Sequence, residues 1–448
     1  ALGRMLLSLF FALCAERSAR QDVRDEQGRT LALHSWKRRR LMSIFGEIEI
    51  ERPYFRQRGL RGRFPMDEAL SLPEDTYSDL LREHVELFCA EMAYEQATTV
   101  LKHVLHVELS TSSLSRLVER DAGEVVAFYE QQDPPLAIKE AEVLVVQADG
   151  KGVPMRPDPS AESLRQQRKA PIRLGKGQKR TKKKEAVVTS LYTCARRVRS
   201  AEEVVASFFN ERPPRDDPDE QAEAPPQGKK RWATLEGKDT AFARLSEQVQ
   251  RRDGEHIVDR VALSDGCKAL QDRFREAFPD FTLVLDFVHV SEYLWKAANA
   301  MLGEADAGRE AWVKRQAQAL LSGGHERVVA ALEQASQHSD DVAAQVARYF
   351  RRNVEAMDYA QYLARGWPIA SGVIEGACRH LVKDRCEASG MRWSRVGAEH
   401  VLALRAVAVN EDWQAYHCYR RQQRHLRLYR SPLEEAERLE EQSLRLAA

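Results

Sequence analysis

Four carboxylates in this 448-residue sequence stand where carboxylates can do chemistry. Asp149 and Asp265 each close a short apolar run and are each followed by glycine, in Gln147–Ala–Asp–Gly150 and Leu263–Ser–Asp–Gly266. Asp286 ends a third such run, Phe281–Thr–Leu–Val–Leu–Asp286. Glu375 lies in Ser371–Gly–Val–Ile–Glu375–Gly–Ala–Cys–Arg379–His–Leu–Val–Lys383, where Glu375, Arg379 and Lys383 share one helical stripe. In an open α/β sheet, ligands collect beyond the carboxyl ends of the strands, so neighbouring strand ends can bring acids together. Clustered carboxylates suit Mg²⁺ or Mn²⁺, and a pair of such ions can serve phosphoryl transfer. The plainer readings are an Asp-Gly turn after a strand and a stripe of surface ion pairs. Spacing alone leaves both open.

The elements that must position these acids can be read from hydrophobic period. Glu142–Val–Leu–Val–Val–Gln–Ala–Asp149 is a near-continuous apolar run, as expected of a buried central strand. Strands are also expected over 186–194, 203–209, 260–265 and 281–287, with helices over 234–251 and 268–278. From His289 onward the pattern is helical. Pro368 and Gly372 punctuate the start of the Glu375 helix. The basic, polar segment 151–184 reads as an insertion, and the Pro- and acid-rich 211–230 as a loop.

Ahead of Pro134–Pro135 the grammar differs. Ile44 to Tyr54 alternates at period two and predicts a β-hairpin arm. Helices follow over 78–91, 94–107 and from Ser110, whose hydroxyl suits an N-cap, to about Phe128. Two helices joined by a polar turn make a helix-turn-helix pattern, although simple helix packing gives the same signal. As a recognition helix it would offer Ser113, Ser115, Arg116 and Arg120 to DNA.

Net charge is +1, with 43% apolar and 31% charged residues. The balance excludes little, because the charge is segregated. Basic residues concentrate in 36–63, including Arg38, Arg39 and Arg40, and in 176–184, including Lys182, Lys183 and Lys184. Local basic stripes are enough for phosphate contacts. Seven scattered cysteines, none two residues from another, favour reduced thiols over a disulfide framework or zinc knuckle. The apolar stretch 5–14 is short, lacks a clean cleavage pattern and runs into Glu16 and Arg17, so a buried N-terminal helix is expected rather than a signal peptide. No later run approaches a membrane span. The chain opens on Ala1 without Met, which leaves its natural start open. The tail 433–446 has a helical apolar pattern suited to a partner or to a solvated helix.

Several separated motifs, in order, make the chain resemble the DDE transposases of bacterial insertion sequences, specifically the ISKra family, relatives of the Mutator-like transposases. They are Ile44–Phe–Gly–Glu–Ile48, Tyr94–Glu–Gln–Ala97, Ala148–Asp–Gly–Lys–Gly152, Leu263–Ser–Asp–Gly266, Asp286–Phe–Val–His289, Ser371–Gly–Val–Ile–Glu–Gly376 and Gly390–Met–Arg–Trp393. The resemblance implies an α/β ribonuclease-H-like catalytic core with an all-helical insertion, preceded by a mainly helical DNA-binding region with a β-hairpin. The corresponding bounds are 1–135 for the first region, 139–295 with 366–448 for the core, and 296–365 for the insertion. It implies Asp149, Asp265 and Glu375 as catalytic metal ligands for two Mg²⁺ ions, which Mn²⁺ can replace. Asp286 and His289 look like the family's Asp-x-x-His element, and the context of Asp265 favours it over Asp286 as the second acid.

DNA, as transposon ends and target, is the implied partner, with Arg38, Arg39, Arg40, Arg116, Arg120, Lys182, Lys183, Lys184, Arg379 and Lys383 as contacts. Handling two ends implies a homodimer or higher oligomer, in the cytoplasm and on the nucleoid. One departure stands out. Many relatives carry paired cysteines after the hairpin, whereas 54–63 has none, so no zinc is expected there and its arginines are expected to meet phosphate. Two competing readings are a catalytically silent DNA-binding derivative, which the intact acid set disfavours, and a Mg²⁺-dependent nuclease without strand transfer.

Overall fold

The computed structural model describes residues 2–25, 27–157, 183–211, 225–336, 341–388 and 390–429. It divides into two compact units, one of residues 1–129 with 403 onward, the other of 130–402.

The first unit begins with the helix Leu2–Ala19, then the three-stranded sheet β1 (Val23–Arg24), β2 (Thr30–Ser43) and β3 (Gly46–Arg56), antiparallel throughout. The period-two pattern is obeyed: Ile48 and Ile50 face inward, onto Phe11 and Ala15 of the first helix. The helices Asp79–Glu91, Tyr94–Val100 and Thr111–Asp121 follow. Ser78 and Ser110 cap the first and third, each accepting a backbone N–H. A π-helical turn over Leu101–Leu105 and a left-handed His106 (φ 53°) separate the second from the third.

The same unit includes the helix Trp413–Tyr429, which the family resemblance assigns to a core region of 366–448. Charge is the physical reason. Arg424 pairs with the half-buried Asp79, and Arg420 with Glu86 and Asp121, which the N-terminal helices bury. Unpaired, those carboxylates would be costly.

The second unit is built on a mixed five-stranded sheet of order β6-β5-β4-β7-β8, from β4 (Val143–Pro154), β5 (Lys183–Cys194), β6 (Gln227–Thr234), β7 (Asp259–Ser264) and β8 (Thr282–Leu285). β4, β5 and β6 are antiparallel neighbours, while β7 and β8 run parallel to β4. Alternation on β4 separates two cores. Val143 and Val145 join Val261, Leu263 and the helices between 287 and 364, whereas Leu144, Val146 and Ala148 pack on Phe242, Leu245, Leu270 and Phe274. The helices Gly308–Leu321, His325–Ala335, Val342–Arg352 and Tyr359–Ala364 therefore share a core with the sheet.

Two expected elements differ. The expected strand over 203–209 is the helix Ala201–Phe208, because Ser200 and Glu203 form a capping box that overrides the β-branched valines. The expected loop over 211–230 ends in β6 from Gln227, an edge strand whose polar residues conceal its period.

Candidate active site

Register aligns the acids, but only two of them follow strand ends: Asp265 and Asp286 come directly after β7 and β8, whereas β4 does not end at Asp149 as expected and runs on to Pro154 because β5 pairs with it there. On β4 and β7, Gln147 pairs with Leu263, and on β7 and β8, Ser264 pairs with Leu285. Carrying each register onward by one or two residues brings Asp149, Asp265 and Asp286 into one row across three parallel strands. Asp149 and Asp265 also share the parity of Val145 and Leu263, hence the sheet face covered by the helical layer.

The helix Gly372–Ala377, continued as a π-turn through Lys383, spans this row. At its start, the Ser371 backbone N–H donates to Asp286 Oδ1 at 3.2 Å, the Ser371 hydroxyl donates to Asp286 Oδ2, and the same hydroxyl lies 3.3 Å from Glu375 Oε1. One turn beyond Glu375, the Cys378 thiol donates to Asp149 Oδ2 at 3.3 Å. The helix is therefore tied to Asp286 at one end and Asp149 at the other, with Glu375 exposed between them.

The four acids differ in environment. Asp286 has no exposed surface, and its Oδ1 also accepts the Val288 N–H, capping the helix Phe287–Leu302. Burial raises its carboxyl above the usual range, against the lowering effect of Ser371. Asp265 is half-buried, and its Oδ1 accepts the Cys267 N–H at 2.9 Å. Its carbonyl accepts the Tyr349 hydroxyl at 2.9 Å. Asp149 is half-buried, and its Oδ1 accepts the Gly150 N–H at 2.6 Å. Burial, then Asp149, pushes the Cys378 thiol well up and keeps it protonated. His289 Nδ1 lies 3.1 Å from Glu292 Oε2, and its Nε2 lies 3.9 Å from Asp286 Oδ2.

These are oxygen donors of the kind Mg²⁺ and Mn²⁺ take. Their chemistry fits, but among the described residues no three of His, Cys, Asp and Glu are gathered closely enough to hold a metal ion.

The basic residues singled out in the sequence fall into distinct environments. Arg38 and Arg40 are exposed on β2, yet Arg38 pairs with Glu49 and Glu51, and Arg40 with Glu47. The acids on β3 thus compensate much of the hairpin's basic stripe. Arg39 donates to the carbonyls of Pro73 (2.7 Å) and Asp75, and Arg120 pairs with Asp75 and Asp121; both hold the fold together. Arg116 is exposed, its Nε donating to the Ser112 carbonyl at 3.3 Å. Lys183 pairs with Glu387 at 2.5 Å, Lys184 is half-buried, and Arg379 and Lys383 are exposed beyond Glu375. Lys182 and the tail 433–446 lie outside the described residues.

Sequence reasoning missed Ser371 and Cys378. Ser371 had a signal, a hydroxyl at a helix start four residues before an acid. Cys378 had none beyond its place one turn after Glu375.

No protein-family model matches the chain. A stretch of 141 residues is 26% identical to the UPF0236 protein in the vanSb 3′ region of Streptococcus gallolyticus, over 31% of this chain and 31% of that protein. The chain thus matches under a third of that relative's length. Among solved structures, the Drosophila P element transposase strand transfer complex aligns with 77% of this chain and 81% of its own, at 8% identity and a TM-score of 0.27. A superposition that loose carries no argument. Among the described residues, no helix is long and apolar enough to cross a membrane.

Proposed function

We propose that the chain is a DDE-type DNA transposase of the ISKra kind, cutting transposon ends and joining them to target DNA. One observation carries the reading: the β4–β7 register, carried two residues on, sets Asp149 level with Asp265 just past the end of β7, and the helix bearing Glu375 is tied to that row by Ser371 and Cys378. The sheet order, with three antiparallel strands followed by two parallel ones, supports a ribonuclease-H-like core.

In this reading Asp149, Asp265 and Glu375 hold two Mg²⁺ ions, which supply activation of the attacking oxygen and stabilisation of the leaving one. Asp286 is a positioning residue. Its buried carboxylate accepts from Ser371 and from the Val288 N–H, which supports a role in fixing the start of the Glu375 helix, with Asp265 taken as the second acid. Asp149, Asp265 and Glu375 would have to draw closer to hold the ions, with the Cys378 thiol orienting Asp149 from the side of the helix. Arg379 and Lys383, exposed beyond Glu375, are placed to meet phosphate. DNA is the partner, the cell's cytoplasm the site of action.

A second reading has a specific observation in its favour: with Asp149 engaged by a thiol and the acids ungathered, a catalytically silent DNA-binding protein is consistent with the geometry. Labelled transposon-end DNA, target plasmid and Mg²⁺ separate the two. Cleavage and joining that disappear in Asp149→Asn, Asp265→Asn and Glu375→Gln, with DNA binding retained, support the transposase. Binding without any cleavage supports the silent protein, and cleavage without joining supports a nuclease.

A further inference from the structure

The first helix, Leu2–Ala19, buries only one side. Phe11, Ala15 and Ser18 are buried, with Leu7 and Cys14 partly covered, against Leu41, Ile48, Ile50, Met66 and Leu72. Its other side holds Leu2, Met5, Leu6, Leu9, Phe10 and Leu13, each between 47% and 69% exposed. Phe45, half-exposed at the tip of the β2–β3 hairpin, extends this surface, its ring lying against Gly3, where a Cβ would come within 2.7 Å.

Leu2, Leu6, Leu9 and Leu13 are spaced four, three and four residues apart, the 3.5-residue repeat that lets two helices mesh along a seam. Seven half-exposed side chains of on the order of 100 Å² each give about 600–700 Å² per copy, above the apolar patch of a typical monomer and, doubled, about the size of the smallest specific interfaces. The exposed seam itself carries no charge, and the flanking charges, Arg4, Glu16 and Arg17, are few and mixed. A membrane-lying helix instead sets a strongly basic polar face opposite its apolar one, whereas the opposite face here is packed on β3.

We propose that this face is the contact between two copies of the chain, an isologous helix pair along the Leu2–Leu6–Leu9–Leu13 seam. The proposal does not depend on the catalytic reading. A twofold pair is self-complementary, so each copy covers the other's leucines with the same four residues.

Sedimentation velocity on the 448-residue chain tests it, alongside Leu6→Asp/Leu9→Asp. Both leucines are over half exposed, so the variant should keep the melting temperature of its own monomer core. The expected result is a concentration-dependent dimer at micromolar chain that shifts to monomer in the variant, with a rise of at least about tenfold in the dissociation constant. A parent chain that stays monomeric at tens of micromolar overturns the proposal. So does a dimer the variant leaves intact, or flotation of the parent chain, but not the variant, with anionic vesicles. Should the variant lose its folded circular dichroism, Leu9→Lys alone gives the same readout at one position.

Discussion

The Cys378 thiol donates to Asp149 Oδ2 at 3.3 Å, linking the helix that carries Glu375 to the central strand. The contact explains why that thiol should be inert. Burial and the neighbouring carboxylate both raise it, and only a thiolate attacks alkylating agents at useful rates. Cys418 is exposed. Brief treatment with iodoacetamide at neutral pH should label Cys418 at least about ten times faster than Cys378. Equal labelling of the two would show that the helix does not sit over Asp149. Cys378→Ser keeps a donor at the position and should retain cleavage within a few-fold, if the contact only positions the carboxylate.

The acids are legible in the sequence from their apolar runs, and Asp265 and Asp286 do follow the last residues of β7 and β8; the Asp149–Gly150 pair does not mark a strand end, because β4 continues to Pro154 against β5. The helix that completes the site was legible from Pro368, Gly372 and its charged stripe. What holds it there was not. Ser371 and Asp286 are 85 positions apart, and no local pattern says that a helix-capping carboxylate also accepts from a second helix's first residue. The compensation of the basic stripe was hidden for a related reason. Arg38 and Arg40 lie in the run Lys37–Arg38–Arg39–Arg40, while the glutamates that answer them arrive from the opposing strand, Glu49 and Glu51 to Arg38 and Glu47 to Arg40. Capping chemistry at Ser200 likewise outweighed the β-propensity of Val204 and Val205.

Ser371 should be a positioning residue for Glu375. Ser371→Ala removes the hydroxyl that bridges Asp286 and Glu375 while leaving the backbone N–H to Asp286. Cleavage should fall by about 10- to 100-fold, the cost typical of removing a group that orients a metal ligand. The half-saturating Mg²⁺ concentration should rise, and Ser371→Thr should restore part of both. A loss of turnover with unchanged Mg²⁺ dependence would argue that Ser371 supports only the fold.

Gly266 follows Asp265 with φ +83°, and a Cβ there would fall 2.3 Å from the Tyr349 hydroxyl oxygen. That hydroxyl donates to the Asp265 carbonyl, and Arg352 donates to the Gly266 carbonyl at 3.2 Å. Left-handed backbone alone costs a residue with a side chain roughly 1–2 kcal/mol, and the clash adds to it. Gly266→Ala should therefore lower stability by about 2 kcal/mol or more in urea titration and displace Asp265. A variant of parental stability would contradict the backbone conformation described for this turn.

The arginines of β2 should separate by function. Arg39 bonds backbone carbonyls of Pro73 and Asp75, so Arg39→Ala should lower the melting temperature. Arg38→Ala/Arg40→Ala should leave stability close to the parent, since exposed ion pairs contribute little. If these two meet phosphate, the slope of log affinity for DNA against log salt should shrink by about two in the double variant. Conversely, Glu49→Gln/Glu51→Gln should strengthen DNA binding by freeing Arg38. No change of slope in either variant would remove the hairpin from the DNA surface.

His417 gives the first unit a pH dependence whose sign can be worked out. Its ring is buried, with Nε2 3.7 Å from Glu86 Oε2, in the field of Asp121 and Asp79 and of Arg420 and Arg421. Burial first, then the two arginines, push its pKa down to about 3 from the ordinary 6.5. Between those values the unfolded chain binds the proton and the folded chain does not. The contribution is therefore complete above about 6.5 and is lost as pH falls through the window. Burial raises the Glu86 carboxyl, which works in the opposite sense over part of the same range, so the comparison must be against Gln at 417 rather than against pH alone. Hydrogen exchange of the amides in 413–429 is the local readout. Protection in the parent chain should fall from pH 7 to pH 5 more steeply than in His417→Gln, after correction for the intrinsic exchange rate. Parallel slopes would mean that the fold leaves the imidazole's proton affinity unchanged, and a shallower fall in the parent would mean that the imidazole is held protonated in the fold.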